Sequence, residues 1–134
     1  MTLNRIRIGD EGSITALVVV LAMTFVACAG LAVDGGRLVA AKIELGDHAE
    51  NAARAGAQEV TSLRSGTFEI NESRAVYVAE QYLETRGVDG EVYVENNIVT
   101  VKVSRNVAMT LLSLFGVNGK ALSAQRSATP SDGP

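Results

Sequence analysis

Residues 13–33 read SITALVVVLAMTFVACAGLAV, a run of about 21 residues without one charged side chain. At 1.5 Å of rise per helical residue it reaches roughly 31 Å, close to the ~30 Å hydrocarbon core of a bilayer. Asp10 and Glu11 stand before it and Asp34 ends it. A stretch this long and this apolar predicts a membrane-crossing helix. The rest of the chain is read outward from it, as what one anchor carries.

Downstream the pattern turns amphipathic. Leu38, Ala41, Leu45, Ala49, Ala52, Ala53, Gly56 and Val60 recur at spacings of three and four, one face of a helix. Arg37, Glu44, Asp47, Asn51 and Arg54 fall on the other face, and Glu50 stands four residues before Arg54, a favourable helical pair. The two segments predict a single rod of about 48 residues, half in lipid and half in water. Asp34-Gly35-Gly36 lies at the join. Each glycine costs a helix about 1 kcal/mol relative to alanine, so these three residues are the candidate hinge.

Beyond the rod, residues 61–70 read as a connector. Asn71 is placed to cap a second helix over residues 72–86, closed by Gly87, with Ala75, Val78, Ala79, Tyr82 and Leu83 on its buried face. Asn71-Glu72-Ser73 also matches a glycosylation sequon, and the cap is the preferred role. The period then switches to two. Val92 and Val94 alternate with Glu91, Tyr93 and Glu95; Asn96-Asn97 turns the chain; Val99, Val101 and Val103 alternate with Thr100, Lys102 and Ser104. That is a β-hairpin with one apolar face, expected to pack on the rod around Leu45 and Ala49. A short apolar helix over residues 108–115 ends at Gly116, and residues 120–128 offer a third strand with Leu122 and Ala124 inward. The tail SATPSDGP is expected to be disordered.

The fold class is therefore α+β. A long N-terminal membrane helix continues as an amphipathic helix, packed on a small antiparallel three-stranded sheet with two short helices. The expected divisions are a lead (1–12), a membrane helix (13–33), its amphipathic continuation (34–60), a small extracytoplasmic domain (61–128) and a tail (129–134).

Composition narrows the function classes. The 134 residues carry a net charge of −3, with no Trp and 4% aromatics. No basic patch with interleaved aromatics is present, which disfavours nucleic acid as a partner. One cysteine, Cys28, excludes an intramolecular disulfide. His48 is the single histidine and is read as a solvated helix-surface residue. Metal-ligand spacings, a nucleotide-binding glycine loop and a nucleophile elbow are missing. No enzyme activity, catalytic residue, cofactor, metal or small-molecule substrate is expected.

Two local patterns point instead to contacts and processing. Cys28, Ala32, Gly36 and Ala40 form a stripe of small residues spaced by four, a surface along which a second helix can approach closely in lipid. Ala27-Cys28-Ala29 fits a signal-peptidase site, with Arg5 and Arg7 as the basic lead. The alternative reading is thus a secreted or lipid-anchored small binding domain released by cleavage near Ala29.

The run from Gly12 to Val20 (GSITALVVV), AGLAVDGGRL from Ala29 to Leu38 and the alanine-rich helix from Ala40 to Ala57 resemble the TadE/TadG-like pilus-assembly family, encoded with tight-adherence (Flp-type) pili. The V-x-V-x-V strand, the short helix ending in Phe-Gly and the strand of small residues are similar as well. The resemblance implies a bacterial, pseudopilin-like subunit held in the cytoplasmic membrane by one span. Its C-terminal domain is implied to be extracytoplasmic, and its partners other pilus-assembly or pilin-like subunits, itself included. It marks Gly12 as the candidate processing glycine. Processed members carry glutamate at the fifth position after that glycine, where this chain has Leu17. Charge does not set the orientation, because Arg5 and Arg7 are balanced by Arg37 and Lys42. The short lead and the family place the N-terminus in the cytoplasm.

Overall fold

The computed structural model describes residues 11–62 and 68–130. One helix, α1 (Glu11–Ala57), runs unbroken for 47 residues, about 70 Å at 1.5 Å per residue. It passes through Asp34, Gly35 and Gly36 as helix. The expected rod is present, and its polar face is where the pattern put it: Arg37, Glu44, Asp47, Asn51 and Arg54 are exposed, and Glu50 pairs with Arg54.

A small head packs on the second half of α1. A hairpin of β1 (Val60–Ser62) and β2 (Phe68–Ile70) leaves the helix end. Helix α2 (Glu72–Arg86) follows, then β3 (Asp89–Glu95), β4 (Ile98–Ala108), a 3-10 turn (Leu112–Phe115) and β5 (Gly119–Ala128). β3, β4 and β5 form one antiparallel sheet in that order. α1 and α2 cover one of its faces. The architecture is α+β, as the periodicities predict.

Local chemistry sets the boundaries. Asn71 Oδ1 accepts the Arg74 N–H at 3.1 Å and starts α2. Gly87 ends it in the left-handed region at φ 63, its N–H donating to Leu83 and Glu84 carbonyls. Asn96 and Asn97 both take positive φ, 50 and 65, the signature of a tight two-residue hairpin turn. Asn97 does a second job: its Oδ1 accepts the Ile70 N–H at 2.7 Å and pins β2 to the hairpin.

The core is made of small side chains. Leu45, Ala49, Ala52 and Ala53 of α1, Ala75 and Ala79 of α2, and Val99, Val101 and Val103 of β4 are all fully buried. Val92 and Val94 pair with Val101 and Val99 and are half-buried, so the hairpin register is the expected one. Alanines let backbones come close. A Cβ on Gly56 would stand 2.8 Å from the Ala75 carbonyl oxygen, so α1 and α2 cross there at a separation only glycine permits.

Several expectations are corrected. The connector over residues 61–70 contributes β1 and β2, a pairing whose three-residue strands are too short to show a period; residues 63–67 lie outside the described residues. The helix expected over residues 108–115 is shorter: β4 runs on to Ala108, because pairing with Gly119 continues the ladder, and only the 3-10 turn remains helical. Val60 is exposed in β1 rather than buried on the helix. The third strand expected over residues 120–128 is β5, so Ser127 and Ala128 belong to the sheet and not to the tail; residues 131–134 and the lead over residues 1–10 lie outside the described residues. His48 is not a solvated surface residue. Its side chain is 16% exposed, its Nε2 lies 3.7 Å from Glu44 Oε1, its ring centroid is 6.4 Å from that of Tyr82, and its buried Nδ1 has no hydrogen-bond partner.

The register makes a sharp prediction. Val101→Asp buries an unpaired charge and should abolish the cooperative thermal transition of the head, followed by circular dichroism on detergent-solubilised full chain. Thr100→Asp points the other way, where Thr100 bonds Ser127 at 2.8 Å, and should cost about 1 kcal/mol or less. Gly56→Ala should cost about 1–3 kcal/mol by forcing the two helices apart.

Candidate functional site

The head does not begin to touch α1 where the amphipathic pattern begins. Contact starts a turn or more earlier, at Gly30 and Asp34, which share one helix face. A Cβ on Gly30 would lie 3.2 Å from Leu111 Cβ and 3.5 Å from Leu112 Cδ2. The absence of a side chain there lets the loop between β4 and β5 lie directly against the helix.

Asp34 holds that loop. It is 1% exposed, the buried charged residue of the described core. Its Oδ1 accepts the N–H of Thr110 at 3.1 Å, and its Oδ2 accepts those of Leu111 at 2.8 Å and Leu112 at 2.7 Å. The 3-10 turn starts at Leu111 without a side-chain cap of its own. A carboxylate from a residue 76 positions earlier supplies it. First N–H groups of a helical turn have no internal acceptors, and an anion is the strongest acceptor for them. The Leu112 N–H, with those of Thr110 and Leu111 and the nearby Arg37 guanidinium, holds the Asp34 carboxyl below its ordinary pKa, against the opposing pull of desolvation. Arg37 also bonds Thr110 Oγ1, so both ends of the Asp34–Arg37 turn grip the same loop.

The contact continues along the rod. Lys42 Nζ donates to the Ser123 carbonyl. Arg105 Nη1 donates to Glu44 Oε2 at 3.1 Å. The Arg126 guanidinium lies over Gly46, with Nη2 3.2 Å from where a Cβ would be. Rod and head are thus joined by a row of polar contacts outside the alanine core.

The residues marked by the sequence separate into two sets. Asp34 enters the junction. Gly35 and Gly36 stay helical, with nothing within 4 Å of a Cβ at either. Cys28, Ala32, Gly36 and Ala40 are all exposed, on the side of α1 away from Gly30 and Asp34. Gly12 lies in the first turn of α1 and is exposed. The sequence reading missed the capping role of Asp34. No local signal marked it, because an acidic residue at the edge of a long uncharged run reads as a boundary.

Among the described residues no group of three or more His, Cys, Asp or Glu side chains could hold a metal ion. Glu91 and Lys102 pair across the hairpin and line a shallow, open concavity with Asp89, Gly90 and Ser104. Tyr93 Oη donates to Glu91 Oε2, which raises the Tyr93 pKa. The first half of α1 differs from all of this. Ile14, Leu17, Val18, Val19, Val20, Leu21, Met23, Phe25, Val26, Leu31 and Val33 are each about half exposed or more, and the helix is long and apolar enough to cross a membrane.

A rod that is apolar and bare at one end is clamped to an α+β head at the other, and the rod is long and apolar enough to cross a membrane. Residues 12–59 match the family Tad, described as putative Flp pilus-assembly TadE/G-like. The matched span takes in the apolar run, Asp34-Gly35-Gly36 and the alanine face, while the strands and second helix of the head lie outside it. No curated protein and no solved structure matches the chain.

The junction is open to a pH test. A carboxyl with a lowered pKa in the folded state stabilises at pH values above its unfolded value, ~3.9, and that contribution is lost as pH falls through the lower folded value. The amide proton shifts of Thr110, Leu111 and Leu112 should therefore titrate together with a midpoint below ~3.9. Asp34→Ala should remove that titration and expose the loop to proteolysis. Asp34→Asn, keeping one acceptor oxygen, should expose it less.

Proposed function

We propose that this protein is a membrane-anchored, pseudopilin-like subunit that takes part in assembling tight-adherence (Flp-type) pili or a related envelope secretion apparatus. The observation that carries the reading is that the matched segment and a bare apolar helix coincide. The Tad match covers residues 12–59, and the first half of that segment is a bare apolar helix. In water a surface of that size is a liability; in lipid it needs no protein cover.

The protein acts by packing and contact, without catalysis. α1 crosses the cytoplasmic membrane once and the head stands outside the cytoplasm. The stiff link at Asp34 transmits the position of the span to the head. Its partners are other pilus-assembly or pilin-like subunits, a second copy included. The small face formed by Cys28, Ala32, Gly36 and Ala40 is exposed and offers the span's closest approach to a neighbouring helix. Leu17 stands where processed members carry glutamate, so entry into the assembly does not rely on that charge.

N-terminal sequencing of the mature protein tests the anchor. An intact N-terminus or cleavage at Gly12 keeps the span, whereas a soluble form starting near Gly30 supports a released binding domain instead. Val26→Arg should impair insertion by roughly 2.5–3.5 kcal/mol, read as loss of the carbonate-resistant fraction. Ala32→Leu and Gly36→Leu should leave membrane levels normal yet lose co-purifying pilus subunits, since overpacking costs about 1–3 kcal/mol where backbones meet. Retention of every partner by both variants would rule out that face.

A further inference from the structure

The loop between β4 and β5 exposes a second apolar surface beside the first. Leu114 is 72% exposed, Phe115 50% and Val117 46%. These side chains do not fold back into the core, although Met109, at the other end of the loop, is buried. The loop is a defined structure, not a slack one. Asp34 caps its 3-10 turn, the Val117 N–H returns to the Leu112 carbonyl at 3.1 Å, and the Met109 N–H bonds the Asn118 carbonyl at 3.0 Å.

Its height along α1 says what covers it. Leu111 and Leu112 lie against Gly30, inside the uncharged run, about 6 Å of helix rise before Asp34. The exposed apolar side chains Leu31 and Val33 of α1 are at the same level. The loop's surface is therefore continuous with the apolar surface of the helix. Apart from the buried Asp34 carboxylate, the charges nearest to it in the sequence of the loop and along α1 are cations. Between Asn106 and Gln125 the sequence holds a single charged residue, Lys120, and the first exposed charge of α1 beyond the buried Asp34 is Arg37. Apolar side chains flanked by cations are the composition of a segment lying at the boundary of headgroups and acyl chains in an anionic leaflet.

We infer that Leu114, Phe115 and Val117 dip into the outer face of the same bilayer that α1 crosses, giving the head a second attachment to lipid. Helix and loop then fix the head by two points, and Asp34 couples them. The head cannot swivel freely about the span, and its sheet is presented to partners in one orientation relative to the membrane. The inference rests on α1 crossing the membrane.

Fluorescence quenching distinguishes the two. The full chain is reconstituted in vesicles of phosphatidylethanolamine and phosphatidylglycerol containing lipids spin-labelled either near the headgroup or deep in the acyl chain. An environment-sensitive dye is attached to native Cys28, or, in a Cys28→Ala background, to Leu114→Cys, Val117→Cys or Glu80→Cys. Glu80 is exposed on α2, which packs at the far end of the rod. The expected result is a blue-shifted emission for Leu114→Cys and Val117→Cys, quenched more by the shallow spin label than by the deep one. Cys28, about 3 Å of helix rise from Gly30, should be quenched by both labels and Glu80→Cys by neither. If the loop dyes match Glu80→Cys while Cys28 is quenched, the inference fails and the span stands. Blue-shifted but unquenched loop dyes mean that protein covers the loop, a second copy or a partner, and also overturn it. Loss of quenching at Cys28 as well removes the span itself.

Discussion

One unbroken helix carries two kinds of surface, and the structure follows from that. α1 must be apolar all round in its first half and apolar on one face only in its second, without a break in its hydrogen bonding between them. A head packed closely on such a rod needs mostly small side chains on the rod's face, where Leu45 is the large buried one. It uses Ala49, Ala52, Ala53, Gly56 and Ala57, and lets the sheet supply the bulk through Val99, Val101 and Val103. The core is thin, so it depends on close approach more than on volume. Fully burying a valine or leucine side chain contributes about 1.5–3 kcal/mol, and only a few are fully buried here. The α1–α2 crossing at Gly56 and the Asn97 bond to Ile70 matter correspondingly more.

The same economy explains Asp34. A small head held only by its alanine face could rock on the rod. The carboxylate ties the loop at the head's near end to the helix through three backbone N–H groups, with Arg37 bonding the same loop beside it. Both partners are rigid: the acceptor sits on a helix and the donors begin a 3-10 turn. The connection therefore passes orientation as well as proximity. The TadE/G-like match includes Asp34 and the two glycines after it.

Much of this was legible in the residues. The uncharged run, the three-and-four spacing from Leu38 and the alternating valines each report a local periodicity, and periodicity is a property of a single element. Asn71, Gly87 and Asn96-Asn97 mark ends and turns through their own backbone preferences. The rod, α2, the hairpin register and the inward residues of β5 were legible for that reason. Where the reading failed, the deciding partner was distant in sequence. Residues 108–111 look helical by composition, yet β5 captures Ala108 through Gly119, and the turn that remains is shortened. The β1–β2 pairing involves strands of three residues, too short to show a period.

The sequence by itself determined the elements, the faces they bury and the rod's division between an all-round apolar half and an amphipathic half, because those depend on neighbours within a few residues. Only the tertiary structure decided what Asp34 and His48 are for. Both stand on α1, and no spacing along the helix reveals that Thr110, Leu111 and Leu112 bring unsatisfied N–H groups to one and that Tyr82 packs near the other. A charge at the end of an apolar run reads as a boundary. It becomes a clamp because the sheet returns the chain 76 residues later to the only helix turn where Gly30 leaves room for it.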